Sequence, residues 1–306
     1  MNTINKTSLF LILLISIGNL NAQQKTNLKM ETKKVAYADK IMLHMHPEKF
    51  LTFLPELNDE QIAHLYGMNL EEYQSVKKVY DEQAKNTALE ILTDKDLATK
   101  IDKLPFKKNQ TVLVIGESTA DALNSWVHIL QHLLNQRRPQ DSIHIINNAI
   151  SGQTTTEALC KITAQTRYNP DWVFCHLGTN DCMRYGNGVN KTTVSIEETM
   201  LNLKTIKSII SSQTKAHLVW LTPLRIDEKK VENFPPFQAI QVSLKNSDLI
   251  EIGKRLKTET NTVIDFIAEF GNPVSAEFVQ YDGIRLTIEG QKTIIKTLIN
   301  NLSNIK

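Results

Sequence analysis

Three short stretches hold residue types that can act together on a carbonyl carbon. In Gly116-Glu117-Ser118 the glycine permits a tight turn and sets the serine hydroxyl at the start of a helix, where partial positive charge favours an oxyanion. Serine in such a place also serves simply as a helix cap. In Ser151-Gly152-Gln153 the Gly152 N–H could donate to a developing oxyanion, and the plainer alternative is an ordinary strand-to-helix turn. Gly178-Thr179-Asn180-Asp181 offers the Asn180 amide as a second oxyanion donor, the loss of which typically costs about 3–4 kcal/mol. Its alternative is a polar turn closing a strand. A hydroxyl nucleophile flanked by two such donors is the equipment for an acyl intermediate.

The elements around these stretches alternate. Strands are expected at Thr111–Gly116, Ser142–Asn147, Trp172–Leu177, His217–Leu221 and Thr262–Ile267. Between and after them, helices are expected from about Ala120 to Gln136, Glu157 to Thr166 and Ile196 to Ser211. A long helix follows Pro235-Pro236 and ends near Glu259, and Thr287–Leu302 closes the chain. Such alternation predicts an α/β fold, a five-stranded parallel sheet covered by helices on both faces. Ligands in open α/β sheets gather outside the carboxyl ends of the strands, which is where all three stretches fall. The chain before Pro105 reads as helical, with Ile62, Leu65 and Tyr66, then Tyr73, Val76 and Tyr80, at helical spacing. The expected organisation is residues 1–22 as a signal peptide, 23–105 as a helical segment and 106–306 as the α/β domain.

With Asp282-Gly283-Ile284-Arg285 added, the order and intervals of these motifs resemble the blocks of the SGNH/GDSL hydrolases, over about Thr111 to Leu302. The N-terminal helices, Trp220-Leu221-Thr222-Pro223, Asp227 and Phe234-Pro235-Pro236-Phe237 are similar to a secreted bacterial branch of that group. The resemblance implies a three-layer α/β/α fold and a serine esterase acting on acyl or acetyl esters of small molecules, carbohydrates or lipids. It implies Ser118 as nucleophile, Ser118 N–H, Gly152 N–H and the Asn180 amide as oxyanion hole, and Asp282 as the carboxylate that orients the base. It implies no metal and no organic cofactor. Two departures stand out. Glu117 replaces the usual aspartate of Gly-Asp-Ser, keeping the carboxylate. Arg285 stands where the family has its catalytic histidine, and a guanidinium cannot take a serine proton at neutral pH. Arg285 is expected to pair with Asp282 or Glu289, or to hold an anionic group of a ligand. A second reading is therefore a binding protein with this fold for an acidic or carbohydrate ligand.

Other histidines are poor substitutes. His176 falls on a strand and is expected in the sheet, while His128 and His132 share one helix face more than two turns from Ser118. A water-mediated base role for Asp282 is a further alternative. His44-Met45-His46-Pro47-Glu48 alternates ligand-type residues, but Pro47 favours a surface turn over a metal site. Cys160, Cys175 and Cys182 are an odd set, so at least one thiol stays unpaired within the chain. Cys175 is expected in the core, a Cys160–Cys182 bridge is conceivable, and a thiol nucleophile at Cys175 or Cys182 lacks a matching histidine. Lys6, the apolar run Leu9–Ile17 and Ala22 form a signal-peptide pattern predicting export, with no integral membrane span in the mature chain. A net charge of +2, from 35 basic and 33 acidic residues, gives no basic stripe for nucleic acid. The N-terminal helices could dock a partner or cap a pocket, and packing against the main domain is the simpler expectation.

Overall fold

The computed structural model describes residues 38–51, 57–186, 190–259 and 262–305. The predicted signal peptide lies outside these residues. Five strands form one parallel sheet in the order β2-β1-β3-β5-β7: β1 (Thr111–Gly116), β2 (His144–Asn147), β3 (Trp172–His176), β5 (His217–Leu221) and β7 (Val263–Ile264). The predicted α/β class and strand count hold, although β7 is shorter than the expected Thr262–Ile267. A separate antiparallel pair joins β4 (Arg184–Tyr185) to β6 (Val242–Ser243).

Strand side chains alternate between the two faces, and each face has its own core. Val112, Val114, Trp172 and Phe174 pack on one side with α7 (Trp126–Arg137) and α13 (Ile288–Leu302). Leu113, Ile115, Val173 and Cys175 pack on the other with α8 (Thr155–Gln165), α9 (Ile196–Gln213) and α12 (Asn246–Glu259). Burial on both faces explains why β1 and β3 read as unbroken apolar runs.

The N-terminal segment comprises α1 (38–44), α2 (Pro47–Phe50), α3 (Asp59–Leu65), α4 (Leu70–Leu92) and α5 (Lys95–Asp102). Asn58 and Asn69 start α3 and α4 with capping boxes, each side-chain oxygen accepting an N–H three residues on. Ala84, Ala88, Ile91, Leu97 and Ile101 then join the first core, so this segment packs on the sheet domain as the simpler expectation had it.

Two expected helices are interrupted. The one after β1 splits into α6 (Ser118–Asp121) and α7, because Ala122 turns extended and the Leu123 N–H goes to the Leu43 carbonyl, 3.1 Å away, in the N-terminal segment. The long helix after Pro235-Pro236 is instead α11 (Pro235–Ala239), following α10 (Glu228–Asn233), then β6, then α12. The β4–β6 pairing takes the residues in between.

Candidate active site

Ser118 is the first residue of α6, at the carboxyl end of β1. The helix behind it is a single turn, so its dipole is small, and what the turn offers is N–H groups. The Glu117 carbonyl accepts from Ala120 and Asp121, and the Ser118 N–H has no acceptor among the described residues. The Ser118 hydroxyl likewise has no hydrogen-bond partner among them.

The turn after β2 is similarly committed, except at one place. Ser151 N–H donates to Asp121 Oδ2 at 2.8 Å and Gln153 N–H to the Ile150 carbonyl at 3.1 Å. Thr154 N–H goes to Glu157 and Thr155 N–H to Asp181. Among the described residues only Gly152, at φ +82°, keeps its N–H unpartnered in this turn.

The third stretch is held by Glu117. This buried carboxylate accepts from Thr179 N–H at 2.9 Å, Asn180 N–H at 3.2 Å and Asn180 Nδ2 at 2.6 Å. Burial pushes its pKa up to about 8, against the pull of the Thr179, Asn180 and Gly178 N–H groups. Asn180 Nδ2 also donates to the Gln153 carbonyl at 3.0 Å, so both amide hydrogens are engaged. The asparagine thus ties two loops together, and can reach a substrate oxygen only by sharing or releasing one of those bonds. Asp181 continues the lattice, accepting from Thr155 N–H at 2.9 Å and Thr199 Oγ1 at 3.0 Å.

Asp282 is buried and both its carboxylate oxygens are engaged. Oδ1 accepts the N–H groups of Ile284 and Arg285, both at 2.9 Å, and Oδ2 accepts Arg285 Nη1 at 3.0 Å. Of the two expected partners Arg285 takes Asp282, while Glu289 pairs with Lys292. The loop depends on Gly283 at φ +77°, where a Cβ would lie 2.5 Å from the Asp227 carbonyl oxygen.

These parts share one cavity of about 390 Å³, lined among others by Ser118, Gly152, Asn180, Asp282 and Arg285. Tyr185, Thr193 and Phe237 complete its rim, the last from the Phe-Pro-Pro-Phe stretch. A larger hollow of about 640 Å³, along α9 and lined by Met200, Trp220 and Leu256, holds no such set of groups.

No histidine among the described residues hydrogen-bonds Ser118. His176 is buried in the sheet as expected, its pKa lowered to about 4 by burial. His132 pairs with Asp81 at 2.8 Å, and burial holds His128 at about 4. The three cysteines are free, so the Cys160–Cys182 bridge is absent, and Cys175 is a core residue.

The His44–Glu48 stretch departs most from expectation. Rather than a surface turn, it places His44 and His46 in the interior, 6% and 4% exposed. His46 Nδ1 lies 2.8 Å from Asp121 Oδ1, and Lys49 Nζ lies 2.6 Å from the same oxygen. Among the described residues no three His, Cys, Asp or Glu side chains gather as for a metal ion. Asp121 and Lys49 escaped the sequence reading. The available signal was the place of Asp121 one turn after Ser118, on the same helix face.

The model of the GDSL-like lipase/acylhydrolase family matches residues 114–291 of the chain. Among solved structures, a catalytic mutant of Axe2, an acetylxylan esterase from Geobacillus stearothermophilus, is 19% identical with a TM-score of 0.51. The match covers 66% of this chain and 97% of that one. A further Axe2 mutant, described as an acetyl-xylooligosaccharide esterase, matches with a TM-score of 0.52 at 19% identity, covering 66% and 97%. No curated protein matches by sequence. At such identity the structural matches establish the three-layer α/β/α fold, and the family match reaches from β1 into α13.

Proposed function

The chain belongs to the GDSL-like lipase/acylhydrolase family, whose members are carboxylic ester hydrolases, and on that premise we propose that Ser118 is its acylated nucleophile. The observation that carries this reading is the pair of N–H groups, of Ser118 and Gly152, that have no partner among the described residues and belong to two residues lining one cavity. Ser118 Oγ attacks the ester carbonyl, its proton passes to solvent, and the carbonyl oxygen becomes an oxyanion between the two N–H groups. Asn180 joins as a third donor when its bond to the Gln153 carbonyl yields to the oxyanion. Collapse expels the alkoxide, which takes a proton from solvent and leaves as the alcohol. Water then attacks the acyl group, releasing it as the carboxylic acid and restoring the Ser118 hydroxyl.

Arg285 replaces the family's base and locks Asp282 in an ion pair, so this hydrolase works without an imidazole at Ser118 and is slow. Oxyanion stabilisation and substrate binding alone still leave about 10³–10⁴-fold over water in a triad enzyme stripped of its base. Acetylated carbohydrate is the substrate class we favour. The Axe2 likeness supports it, as do the Tyr185 and Phe237 rings at the cavity. The pattern of residues 1–22 supports an exported enzyme. The Asp282–Arg285 pair favours a second reading, in which the pocket only binds, with the guanidinium gripping an acidic or carbohydrate ligand.

Fluorophosphonate labelling separates the two. The hydrolase reading expects labelling of the wild-type chain that Ser118→Ala abolishes. Absence of labelling in the wild type, at pH 7 and at pH 9, refutes it.

A further inference from the structure

The N-terminal segment touches the site through one buried carboxylate. Asp121 is 1% exposed, and its carboxylate accepts from three groups on two sides. On the substrate side, Oδ2 holds the Ser151 N–H at 2.8 Å, immediately before Gly152. On the other side, Oδ1 takes Lys49 Nζ at 2.6 Å and His46 Nδ1 at 2.8 Å. Lys49 Nζ also donates to the Ala149 carbonyl at 2.9 Å, in the same turn that carries Gly152. The Leu43 carbonyl accepts the Leu123 N–H and thereby ends α6.

We propose that Lys49 and His46 are positioning residues which, through Asp121 and the Ala149 carbonyl, hold the Ala149–Gly152 turn where the Gly152 N–H faces the Ser118 cavity. The physical reason is local. A buried carboxylate needs counter-charge and donors to stay ionised and fixed, and without them its own grip on Ser151 loosens. The Ala149–Gly152 turn has three other hydrogen bonds: Ile150 N–H bonds the Gly116 carbonyl, Gln153 N–H bonds the Ile150 carbonyl and Ala149 N–H bonds Asn147 Oδ1, while Gly152 itself bonds nothing described. Lys49 crosses 100 residues of sequence to reach the turn. The segment before Pro105 is thereby a working part of the site as well as a packing element. This inference rests on the hydrolase reading for its kinetic consequence, while its geometric content stands apart from it.

The test compares wild-type protein with Lys49→Met, Lys49→Arg and His46→Gln, following fluorophosphonate labelling rate and amide hydrogen exchange. Lys49→Met removes the ammonium and keeps the stem. Its labelling is expected to slow about 10- to 100-fold, the scale of a misplacement of about 1 Å in an active site. Exchange across residues 149–153 should accelerate about tenfold while that of residues 111–116 stays unchanged. Lys49→Arg should recover most of the rate, and His46→Gln should shift both readouts the same way by less. Wild-type labelling rate and exchange in both Lys49→Met and His46→Gln would overturn the proposal. So would equal acceleration of exchange in both regions, which marks general destabilisation. If the wild type itself fails to label, the hydrolase reading falls, and the exchange data alone decide whether the clasp holds the turn.

Discussion

Replacing Arg285 by histidine tests the account of the missing base most directly. In the wild-type loop, Asp282 Oδ1 holds the Ile284 and Arg285 N–H groups at 2.9 Å, and this part of the turn does not depend on the side chain at 285. Oδ2 is bonded to the guanidinium at 3.0 Å, and removing that guanidinium frees it to accept an imidazole Nδ1–H. The side chain at 285 is 31% exposed and lines the same cavity as Ser118, so a shorter ring fits without displacing the core. General-base catalysis contributes about 10²–10⁴-fold, or about 3–5 kcal/mol of barrier. Arg285→His is expected to raise p-nitrophenyl acetate hydrolysis by that factor. The pH profile should change shape as well. The wild-type rate should climb with hydroxide concentration, whereas the variant should level off above the imidazole range, near pH 6–7. A folded Arg285→His variant that is no faster than wild type, with an unchanged profile, would refute the idea that the base is all this site lacks.

Other expectations follow from the same geometry. Gly283→Ala forces a left-handed φ of +77° on a residue with a Cβ and drives that atom to 2.5 Å from the Asp227 carbonyl oxygen. It should destabilise the fold by about 1–3 kcal/mol or more in urea titration, and a wild-type midpoint would show that the loop does not need glycine. Stability should pass through a maximum near pH 6–7. Below it, His44 at about 3 and His128 and His176 at about 4 bind protons mainly in the unfolded chain, so stability is lost as pH falls through their unfolded value near 6.5. Above it, Glu117, raised to about 8, holds its proton better when folded, so its contribution is lost as pH rises toward 8. A urea midpoint that keeps rising from pH 7 to 8.5 would contradict this. Glu117→Ala removes the acceptor of the Thr179 and Asn180 N–H groups and should lower Ser118 labelling about 10-fold or more, and a variant that labels at the wild-type rate would remove Glu117 from the site's architecture.

The alternation of β1, β3 and β5 with long amphipathic helices was legible because strands buried on both faces must be apolar throughout, as Val112–Ile115 and Trp172–Cys175 are. Local chemistry was legible too. Asn58 and Asn69 announce helix starts by capping, a property of a few adjacent residues. What failed were features whose causes lie far along the chain. The helix after Ser118 breaks because Leu43 supplies an acceptor to Leu123, and the helix before Glu259 breaks because Val242 and Ser243 pair with Arg184 and Tyr185. Periodicity within either segment carries no trace of those partners.

The same division runs through the site. Ser118, Gly152, Asn180, Asp282 and the departure at Arg285 could be picked out in order along the chain as candidates, because the order and intervals of their short motifs resemble a known family's blocks. Folding brings them around one cavity of about 390 Å³. Only the tertiary structure decided that Asn180 spends its amide on Glu117 and Gln153, that Arg285 chooses Asp282 over Glu289, and that His46 and Lys49 lie buried against Asp121. Each of those choices is a competition between polar groups for partners once water is excluded. The winner depends on which atoms packing brings within about 3 Å, and spacing along the chain does not encode that distance.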